Sequence, residues 1–216
     1  MDLTNHLAFL LVTWLVFFVA AIGLGERLLR RIGGAKPPTG LRLATAILIG
    51  YGAISYTTYA LAAAHLLYPA LIYALGGVLV MIGLIPGTRL ISTLISSTYH
   101  WLRDEFKAGH AVNYSGALSL IFLIFIGVAI AQGWRGIFLP DTSFDALWYH
   151  LTEARLYLQE HRLLFFAPPA QLAQSTVAPR LMEFLDVFTL PFSPWGDWAK
   201  WSHASLLLPA LLAVYA

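Results

Sequence analysis

Apolar residues fill this chain in long uninterrupted runs, and the runs are bounded by charge. No Asp, Glu, Lys or Arg occurs in residues 3–25, 43–88, 108–134 or 201–216. Crossing the hydrocarbon core takes about 20 residues per helix, so each gap is long enough, or nearly so, for one span. The second is long enough for two. Its break falls at His65-Leu66-Leu67-Tyr68-Pro69, because proline starts a helix more readily than it continues one. The pattern predicts helices near 6–25, 43–64, 69–86 and 114–134 and a shorter fifth from Pro179 to Phe192. A turn at Ser193-Pro194-Trp195-Gly196-Asp197 then leads to a sixth helix rising from Trp198. The expected fold class is all-α: a polytopic integral membrane bundle of about six transmembrane helices.

Composition narrows the class. The 216 residues are 59% hydrophobic and 11% charged, whereas a soluble domain carries roughly 25% charged residues. Net charge is +2 with no concentrated basic face, which argues against nucleic acid as a partner; membrane lipids are the expected surroundings. Cysteine is absent, excluding disulfides and thiolate metal sites. The opening Met1-Asp2-Leu3-Thr4-Asn5-His6 has no basic residue and the apolar run after it is full length, so it reads as a retained first helix.

Charge placement predicts sidedness in the cell membrane. Arg27, Arg30, Arg31, Lys36 and Arg42 face one acid, Glu26, which marks 26–42 as cytoplasmic. Arg89, Arg103 and Lys107 put 87–113 on the same side. Between them Leu90, Ile91, Leu94, Ile95, Trp101, Leu102 and Phe106 recur at helical spacing, as expected of a helix at 88–108 lying in the interface. The amino terminus and the segment 135–178 are then extracytoplasmic, and seven of the 11 acids occur from Asp141 onward. Three regions result: a four-helix membrane region over 1–134, an external loop over 135–178, and two further membrane helices over 179–216.

The external loop carries the candidate chemistry. Ala146 to Arg162 reads as an amphipathic juxtamembrane helix with Leu147, Leu151, Ala154 and Leu158 on one stripe. Asp145 stands at its start, where backbone N–H groups and the helix dipole favour an acid; helix capping and a catalytic carboxylate are compatible roles. Asp141, four residues earlier, is close enough to share its pocket. His150 and Glu153 have a spacing that can ligate a divalent metal, with no third ligand nearby and a solvent-facing pair as the alternative; no cofactor is assigned. Trp148, Tyr149 and Tyr157 read as interfacial anchors. Glu183 and Asp186, three apart at the top of an apolar helix, either look into a shared cavity or snorkel to the headgroups with Arg180.

Asp145-Ala146-Leu147-Trp148-Tyr149-His150-Leu151 followed by Arg155-Leu156-Tyr157-Leu158, Pro179 with Glu183-Phe184-Leu185, and Gly196-Asp197-Trp198-Ala199-Lys200-Trp201-Ser202-His203 form an ordered set. This set resembles the polytopic glycosyltransferases of the GT-C fold, the group containing protein O-mannosyltransferases and the aminoarabinose transferase of lipid A, over about residues 140–216. The resemblance implies transfer of a sugar from a polyprenyl-phosphate donor to a lipid, glycan or protein acceptor outside the membrane. It implies Asp145 as general base; Asp141 is taken beside it as a catalytic residue, and Tyr149, His150, Arg155, Arg180 and Glu183 as substrate-binding residues, none of the arginines being singled out by the motif. Arg155, Arg162 and Arg180 would offer charge to the leaving phosphate. Ala146 follows Asp145 where the family pairs Asp with Glu, so Asp141, Glu153 and Glu183 compete for the second acid. Family members continue through several more helices, so the expectation is an amino-terminal fragment. The alternative is a small transporter or non-catalytic membrane subunit with an acidic cavity at its outer rim.

Overall fold

A computed structural model of the chain describes residues 3–33, 37–108, 150–164 and 181–215. The expected fourth helix at 114–134, together with Asp141, Asp145, Tyr149 and Arg180, lies outside the described residues. Within them every regular element is helical: α1 (Leu3–Ile32), α2 (Thr39–Ala63), α3 (Pro69–Ala108), α4 (Leu151–Glu160), α5 (Leu181–Thr189), α6 (Asp197–Ser205) and α7 (Leu207–Tyr215).

Three helices are long and apolar enough to cross a membrane, over Asn5–Ile32, Thr39–Ala63 and Pro69–His100. Their outward faces display Phe9, Val12, Tyr56, Met81 and Ile85, an apolar surface that water would not tolerate but lipid would. Local chemistry sets the ends. Gly33, at φ +68°, stops α1 in the left-handed conformation common after a helix. Proline at position 38 precedes the first turn of α2, and its carbonyl accepts from the Arg42 N–H. At the far end of α2 His65, at φ 60°, closes a Schellman-type cap in which Leu66 N–H donates to Leu61 O and His65 N–H to Ala62 O. Pro69 then opens α3, where its missing N–H costs nothing.

The core is built on α1, which packs antiparallel to α2 and parallel to α3. Backbones touch: a Cβ added to Gly25 would lie 1.8 Å from Ala46 O, and one added to Gly23 would lie 1.7 Å from Gly83 O. Gly87 approaches Val19 O in the same way. That packing explains why the expected stop at Pro86 does not occur. Proline removes one helical hydrogen bond, but Gly83 and Gly87 hold that stretch against α1, and Leu90, Ile91 and Leu94 extend the contact. Residues 88–108 are therefore no separate interfacial helix. They continue α3.

The bundle has two chemically different ends, which we name the basic end (Glu26, Arg30, Arg42) and the turn end (the α2–α3 connection, 64–68). At the basic end Glu26 is 1% exposed and accepts hydrogen bonds from Arg30 and Arg42, the Arg42 Nε donating to Oε2 at 3.0 Å. The carboxylate is buried while the guanidiniums reach water, their side chains being 68% and 27% exposed for Arg30 and Arg42. Removing Arg42 leaves the buried carboxylate with Arg30 alone, whereas removing the acid frees two cations that solvent can take up. Arg42→Ala should therefore lower stability by about 2 kcal/mol, and Glu26→Gln by about 1 kcal/mol. Denaturant titration of both variants in detergent checks this ordering, and the reverse order would show that the pair is not what holds α1 to α2.

The last third of the chain departs from the expected fifth and sixth spans. At nine residues, about 14 Å, α5 cannot cross a membrane. Pro191 and Pro194 interrupt it, and Gly196 at φ +85° turns the chain while it is still near the turn end. Tyr73, in the first turns of α3, donates to Pro191 O at 2.7 Å, and the Phe192 ring covers Gly76. From there α6 and α7, broken at Leu206, run along α2 toward the basic end: Ser205 meets the Tyr51 hydroxyl at 2.6 Å and Leu212 lies beside Gly40. The direction is opposite to the expected one, because the preceding helix never reached the other side.

Candidate functional site

Glu183 and Asp186 are carried into the protein by the apolar residues around them. From Glu183 to Thr189 every residue of α5 is buried. Phe184 stacks on Tyr157 of α4 with ring centroids 5.8 Å apart and meets Tyr59 of α2 edge-on at 5.1 Å, while Phe188 contacts Phe17 of α1 at 5.0 Å. A helix wedged this way takes its polar positions inside with it. The acids are 6% and 1% exposed, so they do not snorkel.

Each acid faces an imidazole. Glu183 Oε1 lies 3.1 Å from His150 Nδ1, and Asp186 Oδ1 lies 3.1 Å from His203 Nε2. The first pair has hydrogen-bond geometry; the second is an ion pair when His203 is protonated but falls outside hydrogen-bonding angles. Among the described residues Glu183 Oε2 and Asp186 Oδ1 are buried without a hydrogen-bond partner, as is Trp198 Nε1. A buried carboxylate with an unspent acceptor is costly and contributes little to stability. In membrane proteins generally, ionisable groups at such depth are associated with binding, proton transfer or a substrate path. Deeper in, Trp14 Nε1 donates to Ser202 Oγ at 3.2 Å beside a cavity of about 10 Å³, room for roughly one water, lined by Tyr51, Thr189, Trp198 and Ser202.

The segment that precedes α5 in the chain is fixed to the same end. Leu67 N–H donates to His161 O at 3.2 Å and Leu163 N–H to Ala62 O at 3.1 Å, while the His161 ring stacks on Tyr68 with centroids 4.3 Å apart. This double clasp ties the end of α4 to the α2–α3 turn. Along α4, Leu151, Ala154 and Tyr157 are buried, with Leu158 packed against the core. Tyr157, expected as an interfacial anchor, is a core residue, because Phe184 needs a ring to stack on. Arg155 donates to Pro194 O at 3.2 Å and so braces the 190–196 turn.

His150 and Glu153 do not converge on one point: His150 turns to Glu183, and Glu153 accepts from the Tyr157 hydroxyl at 3.4 Å. Among the described residues no three His, Cys, Asp or Glu side chains are grouped to hold a metal ion. The residue missed from the sequence is His203. It lies in a charge-free run, and an imidazole is not counted among charges; its placement opposite Asp186 is a tertiary fact.

Three chain segments thus meet at the turn end. His150 joins α4 to Glu183 of α5, Leu151 packs 3.1 Å from where a Cβ on Gly196 would stand, and Asp186 of α5 faces His203 of α6. Comparison with known proteins finds no matching family model, no matching curated protein and no matching solved structure.

Proposed function

We propose that this is a membrane-embedded glycosyltransferase that moves a sugar from a polyprenyl-phosphate donor to an acceptor on the extracytoplasmic face. The supporting observation is convergence: residues 150–158, 183–185 and 196–203, separate in sequence and noted for their resemblance to GT-C enzymes, assemble around His150, Glu183, Asp186 and His203 at one end of the bundle. In the proposed step the acceptor hydroxyl attacks the anomeric carbon, Asp145 takes its proton, and the bond to the carrier phosphate breaks with inversion. Arg155, Arg162 and Arg180 neutralise the departing phosphate. Membranes from cells expressing the whole gene should incorporate label from a radiolabelled polyprenyl-phosphate sugar.

The depth of the acids favours one other reading. Asp186 is 1% exposed and lies one helical turn beyond Glu183 inside the bundle, as a proton or cation path in a transporter would require. Cation uptake into proteoliposomes without sugar transfer would select it.

Both readings place the turn end outside the cell. A cysteine replacing exposed His65 in the α2–α3 turn should react with an impermeant thiol reagent applied to intact cells. One replacing Asp104, whose side chain is 67% exposed near the end of α3, should react only after lysis. The opposite labelling pattern would overturn the orientation and, with it, extracytoplasmic transfer.

A further inference from the structure

Among the described residues at the basic end, the one buried acid leaves most of the positive charge unspent. Four arginines, Arg27, Arg30, Arg31 and Arg42, stand against Glu26 alone, leaving three positive charges. Arg27, Arg30 and Arg31 fall at i, i+3 and i+4 on α1 and so share a face, and all three are exposed. Glu26 takes one N–H from Arg30 and two from Arg42. A guanidinium has five N–H donors, so both retain several. Arg27 and Arg31 pair with no acid among the described residues.

The arrangement is more than a collection of surface charges. Glu26 is buried and orients Arg30 of α1 and Arg42 of α2 from beneath, fixing two guanidiniums from different helices on one support. Preset guanidinium forks match the paired oxygens of a phosphodiester. The surroundings choose its source. Ile32 at the end of α1 is 73% exposed and Leu41 in the first turns of α2 is 36% exposed, so apolar surface flanks the charges where acyl chains would lie. A free phosphate would leave that surface uncovered.

We infer that Arg30 and Arg42, held by Glu26, together with Arg27 and Arg31 on the same face of α1 as Arg30, form a binding site for the headgroup of an anionic phospholipid. This site lies at the opposite end of the bundle from the proposed sugar chemistry and does not depend on it.

The test uses the full chain in neutral detergent, titrated with phosphatidylglycerol or phosphatidylcholine, with bound lipid counted by native mass spectrometry. Phosphatidylglycerol should bind at least about 25-fold more tightly, since each arginine near a headgroup contributes roughly a fivefold gain. The double variant Arg27→Gln/Arg31→Gln leaves the Glu26 pairings intact. It should weaken phosphatidylglycerol binding roughly twentyfold while leaving phosphatidylcholine binding and thermal unfolding unchanged. Equal binding of the two lipids, or undiminished phosphatidylglycerol binding by the double variant, would overturn the site. Displacement of the lipid by millimolar inorganic phosphate would overturn the lipid headgroup as its ligand.

Discussion

Gly23→Ala should unseat α1 from α3 and destabilise the bundle by about 3 kcal/mol or more, at the upper end of what overpacking costs. The added methyl group would sit 1.7 Å from Gly83 O and 2.6 Å from Gly87 N, and both obstructing atoms are backbone. A side chain can rotate away from such a clash; a helix carbonyl cannot. Relief requires moving one helix off the other. In lipid that is expensive, because association there rests on close van der Waals packing and Cα–H···O contacts rather than on the hydrophobic effect. Gly25→Ala, 1.8 Å from Ala46 O, should do the same to the α1–α2 contact. Gly52 and Gly77 are the controls: among the described residues nothing lies within 4 Å of an added Cβ at either. Alanine there should be neutral or, through helix propensity, stabilising by up to about 1 kcal/mol. Unfolding in mixed micelles of increasing SDS content measures all four variants. A Gly23→Ala protein as stable as Gly77→Ala would mean that the glycine contacts do not hold the bundle together.

The contrast between these glycines shows what a linear reading captures. Charge gaps located α1, α2 and the start of α3, because they report whether a segment can sit in lipid, and lipid compatibility is a property of each residue. They gave no reason for α3 to continue past Pro86, since that depends on Gly83 and Gly87 meeting the backbone of another helix. The end of α5 was misplaced for a related reason: Pro191 and Pro194 were visible, but not the Tyr73 hydroxyl that holds the 190–196 turn near the start of α3. At the candidate site, Glu183 and Asp186 stood out as acids in an apolar helix. Their partners did not, because His150 is 33 residues from Glu183 in the chain and only the folding of α4 onto α5 brings them to 3.1 Å.

Asp145→Asn should lower the rate of sugar transfer by about 10²–10⁴, the usual contribution of a general base, while leaving membrane insertion and donor binding intact. In barrier height this is roughly 3–5 kcal/mol. Asparagine keeps the size and the capping ability of aspartate but cannot accept the acceptor's proton, so the loss should fall on turnover. The chain itself limits where Asp145 can be. Four residues lie between it and His150, so the five Cα–Cα steps bound their separation at about 18 Å, and His150 pairs with Glu183. In the proposed mechanism this connection keeps the base within reach of His150 and Glu183. In that mechanism Glu183 would hold His150 in place: Glu183→Gln preserves an oxygen for His150 and should cost little, whereas Glu183→Ala releases it and should cost about tenfold or more, since small misplacements of reacting groups are expensive. A transporter would reverse the pattern, with Asp186→Asn and Glu183→Gln abolishing uptake and Asp145→Asn leaving it unchanged. Incorporation of labelled sugar into acceptor by membranes carrying each variant separates the two readings, and normal incorporation by Asp145→Asn would remove Asp145 from the role of base.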